Sequence, residues 1–184
     1  SGHLVPVVTV ASNGTRWVHS RYDPVREADQ VARKTPDSAL IVIIGIGAGY
    51  QIRAILREQP TAGILVLESS VSAVRSVLDR IDLEDVLGSP RVRLAVGEGD
   101  LDSLLPQVYQ PILRSSVFFQ VTPHWTERTG HTEEFARVTQ ALKSHIEGMR
   151  ADASTMRSFG RIWFTNATRN AVTIDAARDR TQTT

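Results

Sequence analysis

The chain has 184 residues, with 21 Lys and Arg against 20 Asp and Glu and a net charge of +1. That length fits one domain with an appendage and a substantial core, and the balanced charge lacks the basic field that nucleic-acid binding draws on. Zero cysteines exclude disulfides and thiolate metal sites, and the longest apolar run, around residues 39–49, is too short to span a bilayer and is broken by glycine.

No secretory leader opens the chain, and Ser1-Gly2-His3 reads as a vector remnant, so a cytoplasmic setting is expected. Val7–Val10 and Thr15–Val18 flank Asn13-Gly14, a strong hairpin signal. Asp23-Pro24 then sets a cap before a proline at the first helical position, which opens a helix to about Lys34. Val25, Ala28, Val31 and Ala32 give that helix an apolar face, and Thr35-Pro36-Asp37 closes it.

Residues 39–68 carry the most information. An apolar run, Ala39 to Ile44, meets three alternating glycines, Gly45, Gly47 and Gly49; an amphipathic segment follows, then a second apolar run, Ile64 to Leu67, ending at Glu68. This is strand, tight turn, helix, strand, acid. Glycines let a chain turn sharply and let a ligand approach where a Cβ would block it. The helix that starts there points free N–H groups and its positive dipole end into the crevice. A carboxylate about twenty residues on, at the tip of the next strand, suits a ribose diol. The third small residue of a dinucleotide fingerprint would fall at position 50, which is Tyr50, so the pattern is G-x-G-x-G. S-adenosylmethionine methyltransferases and aminopropyltransferases use that form. The candidate ligand-binding residues are therefore Gly45, Gly47, Gly49, Tyr50 and Glu68. A glycine-rich turn kept only so that helix and sheet pack closely is the competing reading.

After Glu68 the alternation continues. Ser69 or Ser70 caps a helix with Val71, Val74, Val77 and Leu78 on one side, and Asp82 begins a short helical turn ending at Gly88. Arg91 to Val96 is a third strand, Asp100 to Tyr109 a helix with Pro106 awkwardly inside it, and Ser116 to Val121 a fourth strand. Glu98 and Asp100 stand where a methyltransferase meets the adenine, with a helix cap and a solvated neighbour as the alternative. Strands separated by helix-length segments imply an α/β fold: a Rossmann-like, methyltransferase-like, mainly parallel sheet with helices on both faces.

From Thr132 the pattern changes. Phe135, Val138, Leu142, Ile146, Met149 and Met156 recur at three- and four-residue steps of one long amphipathic helix. Gly160 is expected to interrupt it, with a second helix over 161–177 carrying Ile162, Trp163, Phe164, Ala167, Ala171 and Ile174. The domain layout expected is a Rossmann-like unit with its hairpin over 1–130, a helical connector over 131–178 and a flexible tail over 179–184. Ile162, Trp163 and Phe164 are adjacent, so they cannot share one helix face, and at least one must point away from its own core.

Other chemistry is excluded quickly. The histidines at 19, 124, 131 and 145 have no metal-site spacing, and neither a P-loop nor a G-x-S-x-G elbow occurs. His124, beside Trp125, stands near the expected crevice, where a solvated loop histidine is the simpler reading than a general base.

Three groups of residues together resemble a known family: His19-Ser20-Arg21-Tyr22-Asp23-Pro24 with Glu27-Ala28; Gly45-Ile46-Gly47-Ala48-Gly49-Tyr50; and Val66-Leu67-Glu68. They are similar to the N-terminal part of the motility accessory factor proteins, bacterial flagellin glycosyltransferases related to archaeal 6-hydroxymethylpterin pyrophosphokinases. Trp163, Asn166 and Asn170 look like the segment leading into the next domain of such proteins. The resemblance implies that transferase chemistry belongs to a following domain opening with a strand and a Gly-Pro-Ser-Leu turn, which does not occur here. The chain then reads as an N-terminal module of a longer protein. The methyltransferase likeness is incomplete as well: Ile43 is apolar where many methyltransferases place an acid, and Val121-Thr122-Pro123-His124 stands in place of an Asp-Pro-Pro-Tyr strand end.

Three functions remain open: a non-catalytic accessory module of a flagellin glycosyltransferase, an S-adenosylmethionine- or nucleotide-sugar-binding domain, and an oligomerisation scaffold. The partners implied are a downstream catalytic domain, flagellin, and a second copy through the C-terminal helices, with no nucleic acid and no membrane. Whether any cofactor binds is left open.

Overall fold

The computed structural model describes residues 5, 7–10, 14–17, 19–68, 70–97, 101–111, 113–121 and 132–181. In chain order the elements are β1 (Val7–Val10), β2 (Gly14–Trp17), α1 (Pro24–Lys34), β3 (Leu40–Ile44), α2 (Tyr50–Glu58), β4 (Gly63–Glu68), α3 (Val71–Leu78), α4 (Glu84–Leu87), β5 (Val92–Val96), α5 (Leu101–Val108), β6 (Val117–Val121) and α6 (Thr132–Thr181). β1 and β2 form the expected antiparallel hairpin, with Val7 opposite Trp17 and Val10 opposite Gly14; Asn13 and Val18 lie outside the described residues.

The four other strands make one parallel sheet in the order β5-β4-β3-β6. β3 and β4 carry no residue that wants water except Glu68, and both strands are buried along their whole length. Such unbroken apolar runs belong to strands covered on both faces. Alternation divides β3 between the layers: Ile41 and Ile43 pack with Ala28 and Ala32 of α1 and Ile52, Ala54 and Ile55 of α2. Leu40, Val42 and Ile44 pack instead with Leu101 and Leu105 of α5 and Val138, Leu142 and Ile146 of α6. This is the Rossmann-like α/β architecture that the alternating pattern implied.

Local chemistry sets the boundaries. Asp23 caps α1 by accepting from the Arg26 amide, with Pro24 at the first helical position. Ser70 caps α3 through the Ala73 amide. Arg91 donates to the carbonyls of Leu56, Gln59 and Ala62, satisfying the open C-terminal end of α2. At Gly63 a Cβ would sit 1.8 Å from the Val108 carbonyl oxygen, so only glycine allows β4 to start this close to α5.

One expectation is corrected. Gly160 does not break the C-terminal segment into two helices; α6 runs without interruption from Thr132 to Thr181. A glycine in a helix interior costs only about 1 kcal/mol relative to alanine and leaves the hydrogen-bond ladder intact, unlike proline. Val138, Leu142 and Ile146 are in the core, whereas Met156, Phe159, Ile162, Trp163 and Phe164 are half or more exposed. Among the described residues no helix is long and apolar enough to cross a membrane.

Candidate functional site

The chain leaves β3 for β4 and β5 on one side and returns with β6 on the other, so the sheet order reverses beside β3. In doubly wound sheets ligands occupy the crevice at the carboxyl ends of the strands at that point. Gly45–Gly49 lies there. All three glycines have positive φ, 85° at Gly45, 53° at Gly47 and 77° at Gly49, a region that strains any L side chain. Gly45 donates its amide to the Leu67 carbonyl at 2.7 Å, extending the β3–β4 ladder by one residue. Gly49 is the N-cap of α2, and a Cβ there would also lie 2.5 Å from Cδ2 of Leu83.

The chain's own side chains meet the turn. Glu68, at the tip of β4, is 4% exposed, and its Oε2 accepts the Ile46 amide at 3.1 Å. His19 is 5% exposed, and its Nε2 accepts the Ala48 amide at 3.1 Å. An accepting Nε2 fixes a neutral imidazole with its proton on Nδ1. That nitrogen faces Oε2 of Glu27 at 3.7 Å, and the same oxygen accepts the Ser20 amide at 3.0 Å. The Tyr50 ring stands edge-on to His19, with centroids 5.4 Å apart and planes at 88°. Burial raises the Tyr50 hydroxyl above its ordinary pKa, against a smaller lowering by Arg53. Ser20 Oγ accepts from the Tyr22 and Asp23 amides, so the segment entering α1 is held by its own side chains as it presents His19.

Arg53 of α2 closes the other flank. Its Nη1 donates to the Ala48 carbonyl at 3.2 Å, and it grips Asp85 with Nε at 2.6 Å and Nη2 at 2.8 Å. Nη2 also donates to the Asp82 carbonyl at 2.8 Å. The Arg53 hydrogen bonds hold the Asp85 carboxyl below its ordinary range, partly offset by desolvation.

Of the residues expected to bind a ligand, Gly45, Gly47, Gly49, Tyr50 and Glu68 are gathered at this strand end; Glu98 and Asp100 lie outside the described residues, as do His124 and Trp125. His19 and Arg53 were not read as part of the site. His19 stands at the head of the His19–Pro24 segment, but nothing in its spacing points to Ala48, 29 residues on. Among the described residues no group of three or more His, Cys, Asp or Glu could hold a metal. A separate cleft of about 280 Å³, lined by Arg33, Thr35, Asp37, Glu58 and Gln59 among others, opens at the amino-terminal edge of the sheet, away from the glycine turn.

No protein-family model and no curated protein matches the chain. Among solved structures, the MAf glycosyltransferase from Magnetospirillum magneticum AMB-1 is similar over 77% of this chain, at 13% sequence identity and a TM-score of 0.43. The chain spans 31% of the length of that structure.

Proposed function

We propose that the chain is an accessory, non-catalytic Rossmann-like module of a motility accessory factor-type protein glycosyltransferase, positioning the enzyme or its protein acceptor. The observation that carries this reading is the junction of the two segments on which the sequence resemblance rests. His19, the first residue of the His19–Pro24 segment, accepts from Ala48 of the Gly45–Tyr50 turn, with Glu27 behind it and Tyr50 against it. Two motifs far apart in sequence thus form one buried unit, and their joint presence has a physical reason.

In this reading the glycine turn is a latch rather than a nucleoside cradle. Glu68 Oε2 accepts from Ile46 and His19 Nε2 accepts from Ala48, so a ligand that takes either of these two amides would have to displace the side chain already on it. Displacement without replacement leaves buried polar groups unsatisfied, at about 1–3 kcal/mol each. The partners would be the catalytic domain that such proteins carry and flagellin, in the cytoplasm. The second reading, binding of S-adenosylmethionine or a nucleotide sugar, is favoured by the three positive-φ glycines ahead of α2 at the sheet's switch point.

A thermal-shift screen with S-adenosylmethionine and nucleotide sugars, run beside a glycosyl-transfer assay on flagellin, separates the two. A ligand at about a hundred times its dissociation constant adds about 2.7 kcal/mol of stability. The accessory reading expects no shift and no transfer by this chain. Turnover, or a shift abolished by Glu68→Ala, would overturn it.

A further inference from the structure

Two amides of the glycine turn are held by acceptors of different kinds. Ile46 donates to a carboxylate oxygen of Glu68 at 3.1 Å, and Ala48 donates to the imidazole Nε2 of His19 at 3.1 Å. A carboxyl group keeps an oxygen lone pair for its donor whether or not it carries a proton. An imidazole does not. Its one acceptor lone pair is also its basic site, so an imidazolium has two donors and no acceptor. Histidine is also the side chain whose ordinary charge change falls in the mildly acid range, at about pH 6.5.

The surroundings of His19 hold the neutral ring in place and offer the charged one a partner. The His19 side chain is 2% exposed, so charging it where it lies would bury a cation and set two N–H donors against each other across 3.1 Å. Its Nδ1 faces Oε2 of Glu27 at 3.7 Å, and the Glu27 side chain, 31% exposed, reaches water. Among the described residues, the other titratable or charged groups around the turn are Tyr50 and Arg53 of α2, Glu68 of β4 and Arg21 of the same segment. Burial raises the Tyr50 hydroxyl above its ordinary value, so that ring stays neutral at mildly acid pH. Arg53, fixed on the Ala48 carbonyl, is a cation that works against a second positive charge at the turn. Glu68 is engaged at Ile46, and Arg21 lies over the Trp17 ring, 5.0 Å from its centroid. Burial, Arg53 and the Ala48 bond therefore favour a neutral ring in the closed turn, and Glu27 receives the charge once the turn lets go. We infer that His19 is a proton-operated latch: neutral, it closes the glycine turn, and protonated, it releases Ala48 and pairs with Glu27.

The latch rests on the closed turn of the proposed function and supplies what opens it. Release frees the Ala48 N–H ahead of α2 while Glu68 still holds Ile46. The released ring takes up a proton that the closed one excludes, so closure is complete above about pH 6.5 and weakens as pH falls below it. For a released ring of ordinary basicity, the ratio of closed to open turn falls about tenfold between about pH 7.5 and 5.5.

Amide hydrogen exchange of the whole chain across that interval tests the latch, with each rate divided by that of an unstructured peptide at the same pH. Protection at Ala48 should fall about tenfold while protection at Ile46 holds. His19→Gln, which keeps an acceptor and cannot titrate, should protect Ala48 equally at every pH. Glu27→Gln keeps an oxygen for the Ser20 amide and should need a lower pH to open the turn. His145, beside Asp102 at 2.7 Å, is present in all three chains, so its response cancels. Ring nitrogen shifts of wild-type His19 report the same event without a variant: Nε2 should gain its proton in the interval where Ala48 loses protection. Protection at Ala48 that ignores pH, that falls only together with Ile46, or that persists after Nε2 is protonated would overturn the latch and leave the turn closed. An Ala48 amide unprotected at every pH would overturn the closed turn itself, and the latch with it.

Discussion

Nε2 of His19 lies 3.1 Å from the amide nitrogen of Ala48, two buried groups separated by 29 residues of sequence. The bond joins the segment that opens α1 to the turn that opens α2, and it ties the imidazole to one tautomer. Through it the charge-bearing face of α1, at Glu27, becomes part of the support of the glycine turn.

Removing that acceptor should be costly in a way that depends on chemistry rather than volume. His19→Ala leaves the Ala48 N–H buried without its partner and should lose about 1–3 kcal/mol. His19→Gln places an amide oxygen near the position of Nε2 and should recover most of the loss. Urea unfolding of the two variants beside wild type measures the difference; equal losses would mean that packing, not the hydrogen bond, matters at this position.

Glu68 allows the parallel experiment. Its Oε2 serves the Ile46 amide from a site that is 4% exposed. Glu68→Gln keeps an acceptor oxygen and should stay within about 1 kcal/mol of wild type, whereas Glu68→Ala should lose about 1–3 kcal/mol. Thermal melts at neutral pH read both.

The Arg53–Asp85 pair predicts an acid effect of known sign. The folded carboxyl is held below its ordinary pKa, chiefly by the Arg53 hydrogen bonds. Its contribution is therefore present above the unfolded pKa and fades as pH falls through the lower, folded one. Because the Asp85 side chain is 59% exposed and that of Arg53 32%, the contribution should be within about 1 kcal/mol. Asp85→Asn should lower the melting temperature slightly at pH 7 and converge with wild type at the acid end of the profile.

Three glycines should respond differently to alanine. Gly63→Ala drives a Cβ into the Val108 carbonyl, and since backbone must move, a loss at or above the upper end of about 1–3 kcal/mol is expected. Gly49→Ala combines a φ of 77° with the Leu83 contact and should also destabilise. Gly160→Ala, helical and open within its own chain, should stabilise the helix of the monomeric chain by about 1 kcal/mol. Melting temperatures of the three variants rank them directly.

The sheet was legible because its signals are local. The runs 39–44 and 63–67 are apolar without alternation, Asp23-Pro24 states a helix start, and Ser70 stands where a cap is needed. Continuity of α6 was not, because a single glycine was given the force of a breaker in a segment whose three-and-four stripe passes straight through it. At the site, the turn and Glu68 were placed by spacing alone. What those groups bond to was out of reach, because His19 comes from an earlier segment and Arg53 earns its place only once α4 brings Asp85 beside it.

Amide hydrogen exchange at Ile46 and Ala48, followed with and without S-adenosylmethionine or a nucleotide sugar, tests the closed turn most directly. Side-chain acceptors on both amides should slow exchange to the rate set by opening of the core, and neither compound should change it. Rapid exchange at these two amides, or protection that appears only when ligand is added, would contradict a turn closed by Glu68 and His19 and restore it as a binding site.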